Sequence, residues 1–150
     1  MASSRPALGR PAERSRKRAR NRGQSLVEFA IILPVFLMIA FGTIDFGLAF
    51  DASIGVSNAA REGARLGATQ PSTSAITARV QQVAGRLNNA NLSVIVSCKT
   101  SSGAACPGGV AGATTGGSIV VRVTYSYHLM TPIAFGTAIP LASTAEMRVE

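Results

Sequence analysis

Tryptophan is absent from this 150-residue chain, and tyrosine occurs only as Tyr125 and Tyr127. A surface that stacks nucleobases needs an aromatic platform, and none is available here. Histidine occurs once, at His128, and cysteine twice, at Cys98 and Cys106. A structural metal site needs more ligands than these supply. Carboxylates are sparse, and past the long apolar run only Asp51, Glu62, Glu146 and Glu150 remain. No paired acid and base and no nucleophile with a sequence-level partner emerges. The chain therefore reads as no enzyme, with no catalytic residues, no cofactor and no small-molecule substrate. The Gly-rich stretch GGVAGATTGG lacks the lysine of a phosphate-binding loop and precedes a strand rather than a helix.

Acidic charge is also short, since the formal net charge is +8. Such a balance suggests nucleic acid until its distribution is read. Residues 1–22 hold eight basic residues against Glu13, a net of +7, whereas the remainder carries seven basic and six acidic residues, a net of +1. The charge belongs to a short arm and not to a domain face, which argues against a nucleic-acid partner. The arm is rich in Arg, Ala, Ser and Pro without apolar repetition and is expected to be disordered in isolation.

What is present is one long apolar run. Between Phe29 and Ile44 no charge occurs, and with Asp45 near its end the apolar character extends from Leu26 to Phe50. A helix needs about 20 residues to cross a hydrocarbon core. Basic residues immediately before such a helix hold that side in the cytoplasm. The expected topology is a single pass through the cytoplasmic membrane, with the C-terminal part outside. Pro34 is expected to kink the helix or to mark a short unwound step. A cleaved secretory signal is the rival reading, with small-x-small triplets at Ala40-Phe41-Gly42 and Gly47-Leu48-Ala49. Against it stand Glu28 at the head of the run and a helical pattern that continues without proline to Ala68. Small residues crowd this second half, as expected for a helix that packs closely on other helices.

The segment Gly23-Gln24-Ser25-Leu26-Val27-Glu28-Phe29 resembles the processing site of type IV pilin-like precursors. Together with VEFAIILPVFL, IDFG, NAAREGAR, TYSYHLMTPIAF and ASTAEMRVE, it resembles the TadE-like family of minor pilins and pseudopilins of the tight-adherence (Tad) pilus. Phe29 stands where the small Flp-type major pilins usually carry tyrosine. The resemblance implies a prepilin peptidase that cuts between Gly23 and Gln24, discarding the arm. It implies that Glu28, fifth from the cut, neutralises the new amine, usually that of a neighbouring subunit. It also implies partners among other pilin-like subunits, an adhesive role and possible incorporation in an extracellular pilus. Asp45, Arg61, Glu62 and Arg65 are candidate subunit contacts, although the last three are most simply solvated helix positions. The alternative is a signal-anchored exported binding protein that enters no filament.

Beyond the helix, Pro71 marks a break. Ser74 is a candidate cap for a second helix to about Asn88, with Ile76, Val80, Val83, Ala84 and Leu87 on one face. Strands are expected at 92–98, 119–127 and 142–149, with 128–141 an irregular connection. Cys98 and Cys106 are a candidate disulfide on the exported side, the alternative being two free thiols. The expected fold is α+β: a basic leader (1–23), a long membrane-spanning and protruding helix (24–68), and a small head (69–150) with a second helix and about three antiparallel strands.

Overall fold

Alanine, leucine and unbranched charged residues favour helix, and a formed helix extends more easily than a new one nucleates. Both tendencies act in the first element of the computed structural model, which describes residues 12–130 and 138–150, with side chains from Gly23 onward. Helix α1 spans Ala12–Thr69. It therefore includes residues 12–22 of the basic arm, where an irregular chain was expected. The Arg, Lys, Ala and Glu residues there are good helix formers that continue an existing helix. The arm before Ala12 lies outside the described residues. Helical backbone also runs through Pro34, so of the two outcomes expected there, a kink or a short unwound step, the unwound step does not occur. Pro34 cannot donate to the Ala30 carbonyl, but a single lost bond does not end so long a helix.

The chain divides into two compact units, Met1–Ala40 and Phe41–Glu150. In the first, large apolar side chains are exposed around the helix, among them Leu26, Ile32, Phe36 and Ile39. A helix that is apolar all round belongs in lipid or a deep core. Among the described residues, this is the helix long and apolar enough to cross a membrane.

In the second unit a sheet and a second helix cover one face of α1. Helix α2, Thr73–Val83, follows a break at Pro71. Its N-cap is Ser72 and not Ser74, whose hydroxyl instead lies 3.1 Å from that of Ser72. The helix also stops earlier than Asn88, because Ala84 leaves helical geometry and Gly85 follows. Ile76, Val80 and Ala84 are buried, whereas Val83 is exposed.

Three strands complete the α+β fold: β1 (Leu92–Lys99), β2 (Ser118–His128) and β3 (Ala138–Arg148). They pair antiparallel in the order β1-β2-β3. Alternation places Ile119, Val121, Val123 and Tyr125 in the core, and the register sets Val121 between Val96 and Ala145. The third strand starts four residues before the expected Ala142. Pro140 is accommodated because β3 is an edge strand, where a missing N–H costs no ladder bond on the open side. Residues 131–137 of the expected connection lie outside the described residues.

The core is formed where this sheet and α2 meet the small-residue face of α1. Ala52, Val56, Ala59, Ala60 and Ala64 are buried there. A Cβ on Gly63 would come within 2.5 Å of Val80 Cγ2, and one on Gly67 within 2.7 Å of Ile119 Cγ2. The abundance of small residues in this half of α1 thus serves close approach of the chain's own sheet and second helix. The expected close packing on a helix is seen against α2, through Val80, and the sheet adds a second partner through Ile119.

Candidate functional site

The residues singled out from the sequence fall into two groups, one in each unit. In the first unit, Gly23 and Gln24 lie inside α1, where Gly23 is the weakest helix former of that turn. Gln24 and Glu28 are one turn apart, and Gln24 Nε2 donates to Glu28 Oε1 at 3.3 Å. Both side chains are exposed. This contact orients the Glu28 carboxylate toward the residue whose backbone nitrogen a cut after Gly23 would free. Pro34 lies six residues further along the same helix.

In the second unit, Asp45 is 2% exposed, the one buried charged side chain among the described residues. Burying a carboxylate is costly unless it is hydrogen-bonded. The backbone N–H of Met130, just past the end of β2, donates to Asp45 Oδ1 at 3.0 Å. Tyr127 is half-buried nearby; burial, and then the negative charge of Asp45, push its hydroxyl above the usual tyrosine range. Asp45 therefore faces the chain's own head and fastens β2 to α1.

Glu62 lies 12 residues beyond Phe50, outside the apolar run, on a turn of α1 covered by α2. Its carboxylate accepts from Arg65 Nε at 3.0 Å and Arg65 Nη2 at 2.8 Å, a two-point pair within α1. The second cation is Arg79 of α2, whose Nη2 donates to Glu62 Oε1 at 2.6 Å. Hydrogen bonds from Arg65 and then Arg79 hold the Glu62 carboxyl at about 2, against an ordinary 4.5. The same pairing raises the Arg65 guanidinium. Arg61 is exposed beside them. The sequence reading singled out Glu62 and Arg65 but missed Arg79. Its position three residues after Ile76 gave the only signal, since that places it at the margin of the buried face of α2.

A disulfide joins Cys98 to Cys106, with Cα atoms 5.4 Å apart. The Cys106 N–H also donates to the Cys98 carbonyl at 3.2 Å, so the loop after β1 is closed by both covalent and hydrogen bonds. On the open sheet face, Glu146 of β3 accepts from Lys99 of β1 and Ser118 of β2, which ties all three strands. The hydrogen bond from Ser118 and then that from Lys99 lower the Glu146 carboxyl from its ordinary value. This network was also missed, because it depends on strand order.

The depressions on this unit are open ones. A volume of about 240 Å³ lies between α1 and the end of α2, lined by Asp51, Ile54, Gly55, Asn58, Val83 and Leu87 among others. Another lies over the Glu62 ion pairs. Among the described residues, no three His, Cys, Asp or Glu side chains gather as a metal site would require. What the arrangement does chemically is hold a helix, a sheet and a loop together through one buried carboxylate, one shared ion pair and one disulfide.

Comparison with known families agrees with the resemblance read from the sequence: residues 23–65 match the family model described as TadE-like protein. That stretch carries Gly23, Gln24, Glu28, Asp45, Glu62 and Arg65, and ends before α2 and the sheet. No curated protein and no solved structure matches the chain.

Proposed function

We propose, from the premise that residues 23–65 are TadE-like, that this chain is a membrane-anchored minor pilin or pseudopilin of a Tad-type pilus. It acts in assembly and adhesion and not in catalysis. The observation that carries the reading is one helix holding a Gly-Gln junction, a carboxylate one turn later and a membrane-length apolar run. The basic arm keeps the N-terminus in the cytoplasm, and the head with its disulfide lies outside. A prepilin peptidase cuts between Gly23 and Gln24, which removes the +7 arm and frees an amine on Gln24. Glu28 then pairs with such an amine, its own or that of another pilin-like subunit. Two opposite charges in hydrocarbon are each costly alone, and pairing offsets much of that cost. A subunit docked out of register leaves the carboxylate without its cation, so the pair selects register. Arg61, on the exposed side of the Glu62 cluster, is the residue of that group best placed to meet a neighbour.

N-terminal sequencing of the protein recovered from membranes tests this reading. A mature chain beginning at Gln24 supports it. An intact N-terminus, or a start beyond Gly42, would favour an exported signal-anchored protein that enters no filament.

A further inference from the structure

We propose that Met130, just past the end of β2, is seated on the lipid surface, so that the outer leaflet reaches past Asp45 and supports the head. This rests on the membrane-anchored reading above but adds to it where the head sits. Met130 is 75% exposed, yet its backbone N–H is bonded to Asp45 at 3.0 Å. That bond places a large apolar side chain beside a residue of the apolar run.

The surroundings of Asp45 on α1 identify what covers Met130. The head buries one face of the helix, with Asp45, Ala52 and Val56 enclosed. On both flanks the large apolar side chains remain exposed, including Ile44, Phe46, Leu48 and Phe50. Phe46, Phe50 and Ile54 follow at i, i+4 and i+8, so the apolar surface continues nine residues beyond Asp45, roughly 13 Å by helix rise. A partner helix covers a single stripe, whereas the exposed apolar side chains Ile44, Phe46, Leu48 and Phe50 lie on more than one side of the helix, and the first exposed polar side chains beyond Asp45 are Asp51 and Ser53. Lipid, continuous with the medium of the preceding apolar run, covers such a surface. Asp45 is tolerated at this depth because the head encloses it and a backbone N–H bonds it. Tyr127 lies half-buried beside it, in keeping with the preference of tyrosine for the membrane interface. On the open sheet face, by contrast, Ile95 is exposed between Ser93 and Ser97, a single apolar residue of the kind ordinary on water-facing surfaces.

The chain holds no tryptophan, so single substitutions report without background. Full-length Met130→Trp, Phe36→Trp and Ile95→Trp variants are reconstituted at low density in vesicles containing bromine-labelled phosphatidylcholine. The expected result is fluorescence of Met130→Trp quenched about twofold, near that of Phe36→Trp, with Ile95→Trp little changed. Quenching at Phe36→Trp with Met130→Trp behaving like Ile95→Trp overturns the inference and leaves the anchor intact. No quenching at Phe36→Trp overturns both. A blue-shifted but unquenched Met130→Trp shows cover by protein and also overturns the inference.

Discussion

Met130 and Asp45 are 85 residues apart in sequence and joined by one hydrogen bond, from the Met130 N–H to Asp45 Oδ1 at 3.0 Å. The bond explains how an apolar helix carries a buried carboxylate, and it sets the height at which the head meets α1. Asp45→Ala removes the acceptor and leaves a partly buried N–H unsatisfied, at a cost of about 1–3 kcal/mol. Asp45→Asn keeps an oxygen at the same position and retains most of the stability. Thermal unfolding in detergent and hydrogen exchange at the Met130 amide measure both. Unchanged exchange at Met130 in the alanine variant would show that the bond does not hold the strand.

The glycines of α1 separate into two kinds, although their helix propensities are equal. A Cβ on Gly55 meets only Leu87 Cδ1, at an ordinary 3.8 Å. Gly55→Ala is therefore expected to stabilise by up to about 1 kcal/mol, the helix-propensity difference. At Gly67 a Cβ would lie 2.7 Å from Ile119 Cγ2 and 2.9 Å from Ile76 Cδ1, both buried and β-branched. Overpacking there costs about 1–3 kcal/mol, which outweighs the propensity gain. Gly63→Ala is expected to follow Gly67→Ala, through Val80. Melting temperatures in opposite directions are the signature; a uniform rise would mean that the head does not press on this face.

The same face shows what sequence patterning conveys and what it does not. Apolar continuity from Leu26 onward and alternation in β2 identify the membrane helix and the central strand from local sequence alone. Small residues at 59, 60, 63, 64 and 67 signal close approach, but local sequence does not say of what. The partner is supplied by the sheet and α2, which depend on contacts distant in sequence. The start of β3 was hidden for a related reason. Pro140 reads as a breaker until the strand is known to lie at a sheet edge. Arg79 and Met130 were hidden too, because one acts across two helices and the other through a backbone N–H that every residue type carries.

Acid is expected to loosen the contact between α1 and α2. The Glu62 carboxyl is held at about 2 in the folded chain, against an ordinary 4.5. A depressed carboxyl contributes stability above its unfolded value and loses that contribution as pH falls through the folded one. The melting temperature should therefore drop between about pH 4.5 and about pH 2. Glu146, lowered by Ser118 and Lys99, acts in the same direction. In Glu62→Gln the acid-side slope becomes shallower, and in the double variant with Glu146→Gln shallower still. An unchanged slope in the double variant would mean that these pairs do not couple to folding.

Glu28 lies one turn from Gln24 and accepts from its side-chain amide at 3.3 Å, so the carboxylate is in contact with the residue that the proposed cut would make N-terminal. Removing the carboxylate leaves the apolar run unaltered, and Glu28→Ala and Glu28→Gln should insert in the membrane as the parent does. Under the proposed function, what they lose is the counterion for an amine in a medium of low dielectric constant, where an unpaired charge is far more costly than a paired one. Co-purification with partner pilins, and the number of pili per cell, should fall by about tenfold or more in both variants, since each 1.4 kcal/mol of lost pairing is a factor of ten. Glutamine keeps the size and the hydrogen bonding of the side chain, so a defect in Glu28→Gln as large as that in Glu28→Ala assigns the effect to charge. Normal piliation in both would show that Glu28 is only solvated at the interface and selects no partner.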